Sequence, residues 1–210
     1  MTFVLPDRNC NLCERLCLFR ESNKAKYPSY YNGPVKSFGD IDAEILVVGL
    51  APGLHGANQT GRPFTNDYAG DILYPALKRF GLAKGNYLKK RDDGFELINV
   101  RITNAVRCVP PENKPITTEE KQCRDFLKEE ISDMKKLKVI LSLGTISHKN
   151  VLAVFGVKQA SAKFKHGAVH ELTSGVKLID SYHTSRYNIN TGVLTEEMFD
   201  DIIKKIKGLI

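Results

Sequence analysis

EILVVGLAPGLHGANQTGRPFTND, residues Glu44 to Asp67, joins an apolar run to a glycine-rich turn with no polar linker between them. Residues 44–49 are short, β-branched and stopped by a turn, the pattern of a strand buried on both faces. Three further runs share it: 97–106 (LINVRITNAV), 138–144 (KVILSLG) and 176–182 (VKLIDSY). Helical spacing fills the intervals. Residues 69–80 place Ile72, Leu73, Ala76 and Leu77 on one face, and 195–206 place Met198, Phe199, Ile202, Ile203 and Ile206 on one stripe. Residues 117–137 open with Thr117-Thr118-Glu119-Glu120, a capping-box pattern after Pro115, and 145–155 form a further helix.

Strands alternating with helices imply right-handed crossovers and a parallel sheet covered on both faces. The expected fold is therefore a three-layer α/β/α domain with a central four-stranded parallel sheet. Ligands in such sheets bind beyond the carboxyl ends of the strands. Four places thus matter: the residues after Gly49, Thr103, Leu143 and Tyr182. The turn after the first strand, Gly49-Leu50-Ala51-Pro52-Gly53, carries no acid, base or nucleophile. The chemistry must come from elsewhere.

At 210 residues, 42% apolar and 26% charged, the chain suits one packed domain spanning 1–210 rather than a disordered one. Residues 1–40 are irregular, with a short helix expected near 10–20, and wrap the domain. No apolar run approaches the roughly 20 residues of a membrane helix. The first residues lack a basic region followed by an apolar one, so a cytoplasmic, nucleoid-associated protein is expected. Lys plus Arg exceed Asp plus Glu by 31 to 24, a balance compatible with a polyanionic partner.

Five cysteines, at 10, 13, 17, 108 and 123, are an odd number for a disulfide framework. Cys10 and Cys13 form a CxxC pair, Cys108 ends the second long strand, and Cys123 sits in the following helix. Two thiolates from a turn and two from structured sites can close a tetrahedral centre that pins the N-terminal segment down. Spacing does not choose between zinc and a [4Fe–4S] cluster. By spacing alone Cys17 could replace Cys10.

The remaining strand ends read ITNAVRCVPPENKP from Ile102 and YHTSRYNINTG from Tyr182. With the opening stretch and the four cysteines, they make the chain resemble the uracil-DNA glycosylase superfamily, and within it the iron–sulfur branch called family five. The match runs over nearly the whole chain. It implies a structural [4Fe–4S] cluster on Cys10, Cys13, Cys108 and Cys123, with zinc less favoured. It also implies a pocket for a base flipped out of the stack.

The resemblance assigns roles by position. His183 matches the His-Pro-Ser histidine that hydrogen-bonds the uracil oxygen gathering charge. Here Thr184 stands where the motif has proline, which removes a fixed backbone angle. Asn104 matches the amide that reads uracil, since an amide both donates and accepts. Phe64 matches the stacking aromatic, and Gly49 and Ala51 flank the base. Gly53, Gly56 and Ser185 are expected at the DNA backbone, with Arg186 and Tyr187 in the intercalating loop. Asp67 matches the family-five catalytic acid, although an aspartate just before a helix is equally a good N-cap. Asn66 occupies a position where glycine is expected. His55, Asn58 and Asn113 lie near enough for supporting roles, while Lys163, Lys165 and His166 form either a DNA-contacting or a solvated loop.

The implied activity is a monofunctional DNA repair glycosylase acting on uracil in double- or single-stranded DNA, as a monomer. With Leu50 and Ala51 in the first turn, hypoxanthine is a further expected substrate. The alternative from another class is a non-catalytic metal or cluster protein that binds nucleic acid.

Overall fold

The computed structural model describes residues 5–210. Helix α1 (Glu14–Lys26) is followed by β1 (Ile45–Gly49), α2 (Ala57–Thr60), α3 (Tyr68–Arg79), the ribbon β2 (Ala83–Lys84) and β3 (Glu96–Leu97), and β4 (Val100–Asn104). Then come α4 (Thr117–Asp133), β5 (Val139–Leu143), α5 (Thr145–Val154), β6 (Val169–Glu171), β7 (Lys177–Ser181), α6 (Arg186–Asn190) and α7 (Glu196–Lys207).

The main sheet runs β4-β1-β5-β7-β6. β4, β1, β5 and β7 are parallel and are the four strands expected from the sequence. The sheet has a fifth strand, β6, paired antiparallel to β7 with Val169 opposite Ile179. Its residues, Val-His-Glu, carry no apolar run because an edge strand buries little. That is why the expected four-stranded, wholly parallel sheet needs this correction.

β1, β4 and β5 are buried along their whole length. Alternate residues serve opposite layers, as the period of two requires. Ile45 and Val47 pack with Leu73 of α3 and Phe199 and Ile203 of α7. Leu46 and Val48 pack with Leu127 of α4 and Val151 and Leu152 of α5. Each such side chain contributes roughly 1.5–3 kcal/mol when fully buried.

The N-terminal segment is sewn onto the β4 edge. Phe38 bridges Ile102, Val35 N donates to Arg107 O, and Arg15 pairs with Glu119 at 2.8 Å. α1 starts later than expected because Asp7 makes an Asx turn, its Oδ1 accepting from Asn9 N, that holds the CxxC out of the helix. At α4 the expected capping box survives as its acidic half. Glu119 Oε2 accepts from Ile116 N at 2.9 Å.

Candidate active site

Register sets the site. Gly49 ends β1 directly opposite Asn104, which ends β4. A Cβ on Gly49 would lie 2.4 Å from Asn104 Oδ1 and 2.4 Å from Phe64 Cζ, so only glycine fits. Beyond these strand ends opens a cavity of about 290 Å³, near the small end of ligand pockets. Its walls include Ala51, Phe64, Asp67, Asn104, His183 and Ser185, with Leu50, Gly53, Asn113 and Arg186 also lining it.

Phe64 sits in the left-handed region at φ 49°, with its ring buried and tilted 32° to the His183 ring at 6.3 Å. Gly70 makes this possible: a Cβ there would strike the Phe64 carbonyl. Asn66 is also left-handed, at φ 64°, so it serves in the backbone conformation for which glycine is the usual choice. Its Nδ2 donates to His55 O and Gln59 Oε1, both at 3.0 Å, tying the preceding loop to the acid.

Asp67 is the N-cap of α3, with Oδ1 accepting from Gly70 N at 2.8 Å. That bond uses one oxygen. Oδ2 lies against Gly56, where a Cβ would approach it to 2.8 Å. Gly56 is thus the space that accommodates Asp67. Burial pushes the Asp67 pKa up, opposed by the Gly70 and Ala69 N–H groups and assisted by Asp71. Cap and cavity-facing acid coexist in one residue.

His183 leaves β7 through Tyr182, and burial pushes its ring down to about 4, so the imidazole is neutral near pH 7. Among the described residues none hydrogen-bonds the His183 ring or the Asn104 side-chain amide, which leaves both for a ligand in the cavity. Thr184 does the work of the missing proline by another route. It is fully buried and its hydroxyl donates to Ala69 O at 3.3 Å, which fastens the loop to α3. Ser185 caps α6, its Oγ accepting from Asn188 N at 3.3 Å, so its oxygen is partly engaged within the protein.

Arg186 lies over the Tyr68 ring at 5.3 Å, and Tyr187 is 73% exposed at the start of α6 beside the mouth. A Cβ on Gly53 would meet nothing within 4 Å. Of the supporting residues, Asn113 lines the cavity. Asn58 is buried and donates to Asn32 Oδ1, while His55 is exposed and meets Tyr30 Oη at 3.0 Å. His166 stacks on Tyr182 and accepts from its N–H, a structural task. Sequence reasoning missed Tyr68 and Gly70. Both flank Asp67 in the first turn of α3, where a helix start conceals them as ordinary helical residues.

The cysteines converge beside this cavity. All five are free thiols, and together with Arg20, Gln122 and Phe126 they line one pocket. Burial pushes the Cys13 and Cys108 thiols up to about 12, with Cys10 and Cys123 adding to both shifts. Cys17 Sγ instead donates to Cys10 O at 3.3 Å. Thiols gathered in one pocket, Cys123 buried and the others partly so, suit a thiophilic group that displaces their protons. The pocket abuts the active cavity, because Ala51, Cys13 and Cys108 pack against one cluster of Leu16, Val106 and Cys123, and Val106 N donates to Leu50 O.

A second cluster is built differently. Asp180 meets His148 Nδ1 at 2.7 Å, His170 Nε2 at 2.9 Å and Ser142 Oγ at 2.7 Å. Bonds of 2.0–2.2 Å to one tetrahedral ion would hold ligand atoms about 3.4 Å apart. These are hydrogen-bond separations. His148 Nε2 also faces Ala162 O at 2.9 Å, so both ring nitrogens meet acceptors. The cluster reads as a buried carboxylate shared by two imidazoles. Burial opposes its charge, but the bonds from His148, Ser142 and His170 prevail and hold the Asp180 carboxyl below its ordinary range.

Residues 36–207 match the family model of the uracil DNA glycosylase superfamily. The chain belongs to this superfamily. Its similarity to a type-5 uracil-DNA glycosylase of Thermus thermophilus is 42% identity over 99% of this chain and 96% of the relative. A type-5 enzyme of Pyrobaculum aerophilum is 40% identical over 94% of this chain and 87% of its own. A type-4 uracil-DNA glycosylase of Archaeoglobus fulgidus is 31% identical over 71% and 69%. Identity is thus higher, and extends further, toward the type-5 branch of the superfamily. No helix among the described residues is long and apolar enough to cross a membrane.

Proposed function

We propose that this chain excises uracil from DNA by hydrolysing the N-glycosidic bond, leaving an abasic site. The observation that carries the reading is the meeting of Asn104, His183 and Asp67 around Phe64 at the strand ends. The bond breaks with its electron pair departing on the base, while the sugar becomes oxocarbenium-like and takes hydroxide from water.

Each side chain has a place in that reaction. Phe64 offers the flipped base a stacking face, worth roughly 1–3 kcal/mol. The Asn104 amide reads the O4 and N3–H edge of uracil. The neutral His183 ring donates a hydrogen bond to the oxygen on which charge gathers. Asp67 faces the cationic sugar and orients the attacking water. Gly53, Ser185 and Arg186 form the DNA-facing rim, with Gly56 buried behind it against Asp67, and Tyr187 fills the gap left by the flipped base. No lysine lines the cavity among the described residues, which favours hydrolysis alone over a Schiff-base lyase step.

The substrate is uracil in double- or single-stranded DNA. The apolar Leu50 and Ala51 walls also favour a wider range of deaminated bases, hypoxanthine among them. Cys10, Cys13, Cys108 and Cys123 would hold a [4Fe–4S] cluster, preferred to zinc on family resemblance. When bound, it supplies a covalent clasp between the N-terminal segment and β4–α4, not chemistry at the sugar. Residues 1–210 form one monomeric domain, working in the cytoplasm at the nucleoid. Base release from duplexes containing uracil, hypoxanthine or thymine opposite guanine tests the reading. Release of uracil supports it, and an inert protein with full metal content overturns it.

A further inference from the structure

Four arginines are buried among the described residues: Arg20, Arg62, Arg101 and Arg107. Three are matched by buried carboxylates. Arg62 makes two bonds to Asp93, at 2.7 and 2.9 Å. Arg101 and Arg107 share Glu130, which is fully buried between them.

Arg20 is different. It is only 5% exposed, yet its nearest carboxylate, Glu21, is exposed and lies 3.7 Å from Nε, too far for a hydrogen bond. The Arg20 Nε–H, like that of Arg107, has no hydrogen-bond partner; what sets Arg20 apart is the lack of a buried carboxylate. The rest of the guanidinium turns to the cysteines: Nη2 donates to Cys10 O at 3.0 Å, and Nη1 reaches Cys108 Sγ at 3.9 Å. Arg20 lines the same pocket as the thiols. A buried charge whose nearest carboxylate is distant and solvent-exposed, and an unmade hydrogen bond, are each costly. The cost of the buried charge falls if the pocket holds a net negative group. Four thiolates around a doubly charged metal core supply that charge, whether the core is zinc or iron–sulfur.

We infer that Arg20 is the counter-ion and N–H donor of the cysteine-held metal centre, setting how firmly the centre is retained and, for a redox-active one, its reduction potential. This rests on the proposal that the cysteines hold a metal. Arg20 is a positioning residue, acting through Cys10 and Cys108 and not on DNA. Its planar fork can serve a carbonyl and a sulfur together, which a lysine cannot.

The test compares anaerobically purified parent, Arg20→Met and Arg20→Lys, each full length. Metal and sulfide content, the rate of metal loss to a chelator and, for an iron centre, the midpoint potential are measured. Arg20→Met should lose metal roughly tenfold faster, the scale of outer-shell changes at metal sites, and be reduced at a more negative potential. Arg20→Lys keeps the charge, should fall between the two, and serves if the methionine variant does not fold. Retention and potential equal to the parent in both variants would overturn the role of Arg20 while leaving the metal site standing. A parent that holds no metal would overturn both.

Discussion

Gly49 and Asn104 sit opposite each other at adjacent strand ends, so close that a single added methyl would lie 2.4 Å from the Asn104 carbonyl oxygen. The same methyl would meet the Phe64 ring. The Asn104 amide, proposed to read the base, and the Phe64 ring, proposed to stack on it, are therefore both held by the absence of one Cβ. Gly49→Ala should displace both, lowering single-turnover uracil release by roughly 10²–10³. Overpacking should cost about 1–3 kcal/mol in denaturant unfolding. Parental activity in the variant would mean that the two side chains do not share the base.

Asp67 separates its two tasks by substitution. Asparagine is also a good N-cap, so Asp67→Asn should keep stability within about 1 kcal/mol of the parent while losing excision. Asp67→Ala should lose excision and about 1 kcal/mol of stability together. Thermal unfolding and single-turnover excision on the same preparations read the two effects. An asparagine variant that is active would reduce Asp67 to a helix cap.

The pH dependence follows from the two buried groups. The Asp67 pKa is raised, so the acid limb of excision should fall at higher pH than an ordinary aspartate, whose pKa is about 3.9, would give. His183 stays neutral down to about 4. The rate should therefore be flat across neutral pH. For stability the signs differ. Asp67 binds its proton more tightly folded than unfolded, so its contribution is present at low pH and lost as pH rises through its folded value. His183 is protonated first in the unfolded chain, so its contribution is present above about 6.5 and lost as pH falls toward 4. Urea unfolding of parent and Asp67→Asn over pH 4–8 should show the variant gaining relative to the parent as pH rises.

Asp180 anchors the β5–β7–α5 side through Ser142, His148 and His170. Asp180→Asn removes one of the oxygens that accept from Ser142 and face His148 and His170, and should cost roughly 1–3 kcal/mol. Excision per folded molecule should change little, because none of these groups lines the cavity. Calorimetry with an active-site titration checks both halves. Unchanged stability would mean that these hydrogen bonds do not anchor this side of the sheet.

Much of this was legible because β1, β4, β5 and β7 are buried runs whose ends converge by topology. A parallel sheet puts its carboxyl ends on one side, so Gly49, Asn104 and His183 had to share an edge. The short elements were not legible. β6 has one pairing partner and little buried surface, and α6 begins where Ser185 looks like a loop hydroxyl. For Asp67 the sequence offered acid and cap as alternatives, and could not show that its Oδ1 caps α3 while the residue also lines the cavity. Distance-dependent features stayed hidden too. No spacing rule shows that Gly56 makes room for Asp67, or that Arg20 has no buried carboxylate beside it.

The central claim is that Asp67, Asn104 and His183 form one uracil-excising site. The most direct measurement is single-turnover release of uracil from a duplex by the parent, Asp67→Asn, Asn104→Ala and His183→Ala, with folding and metal content verified for each. The parent should release uracil, and each variant should be slower by roughly 10² or more. Parental rates in Asp67→Asn and His183→Ala together would contradict the site.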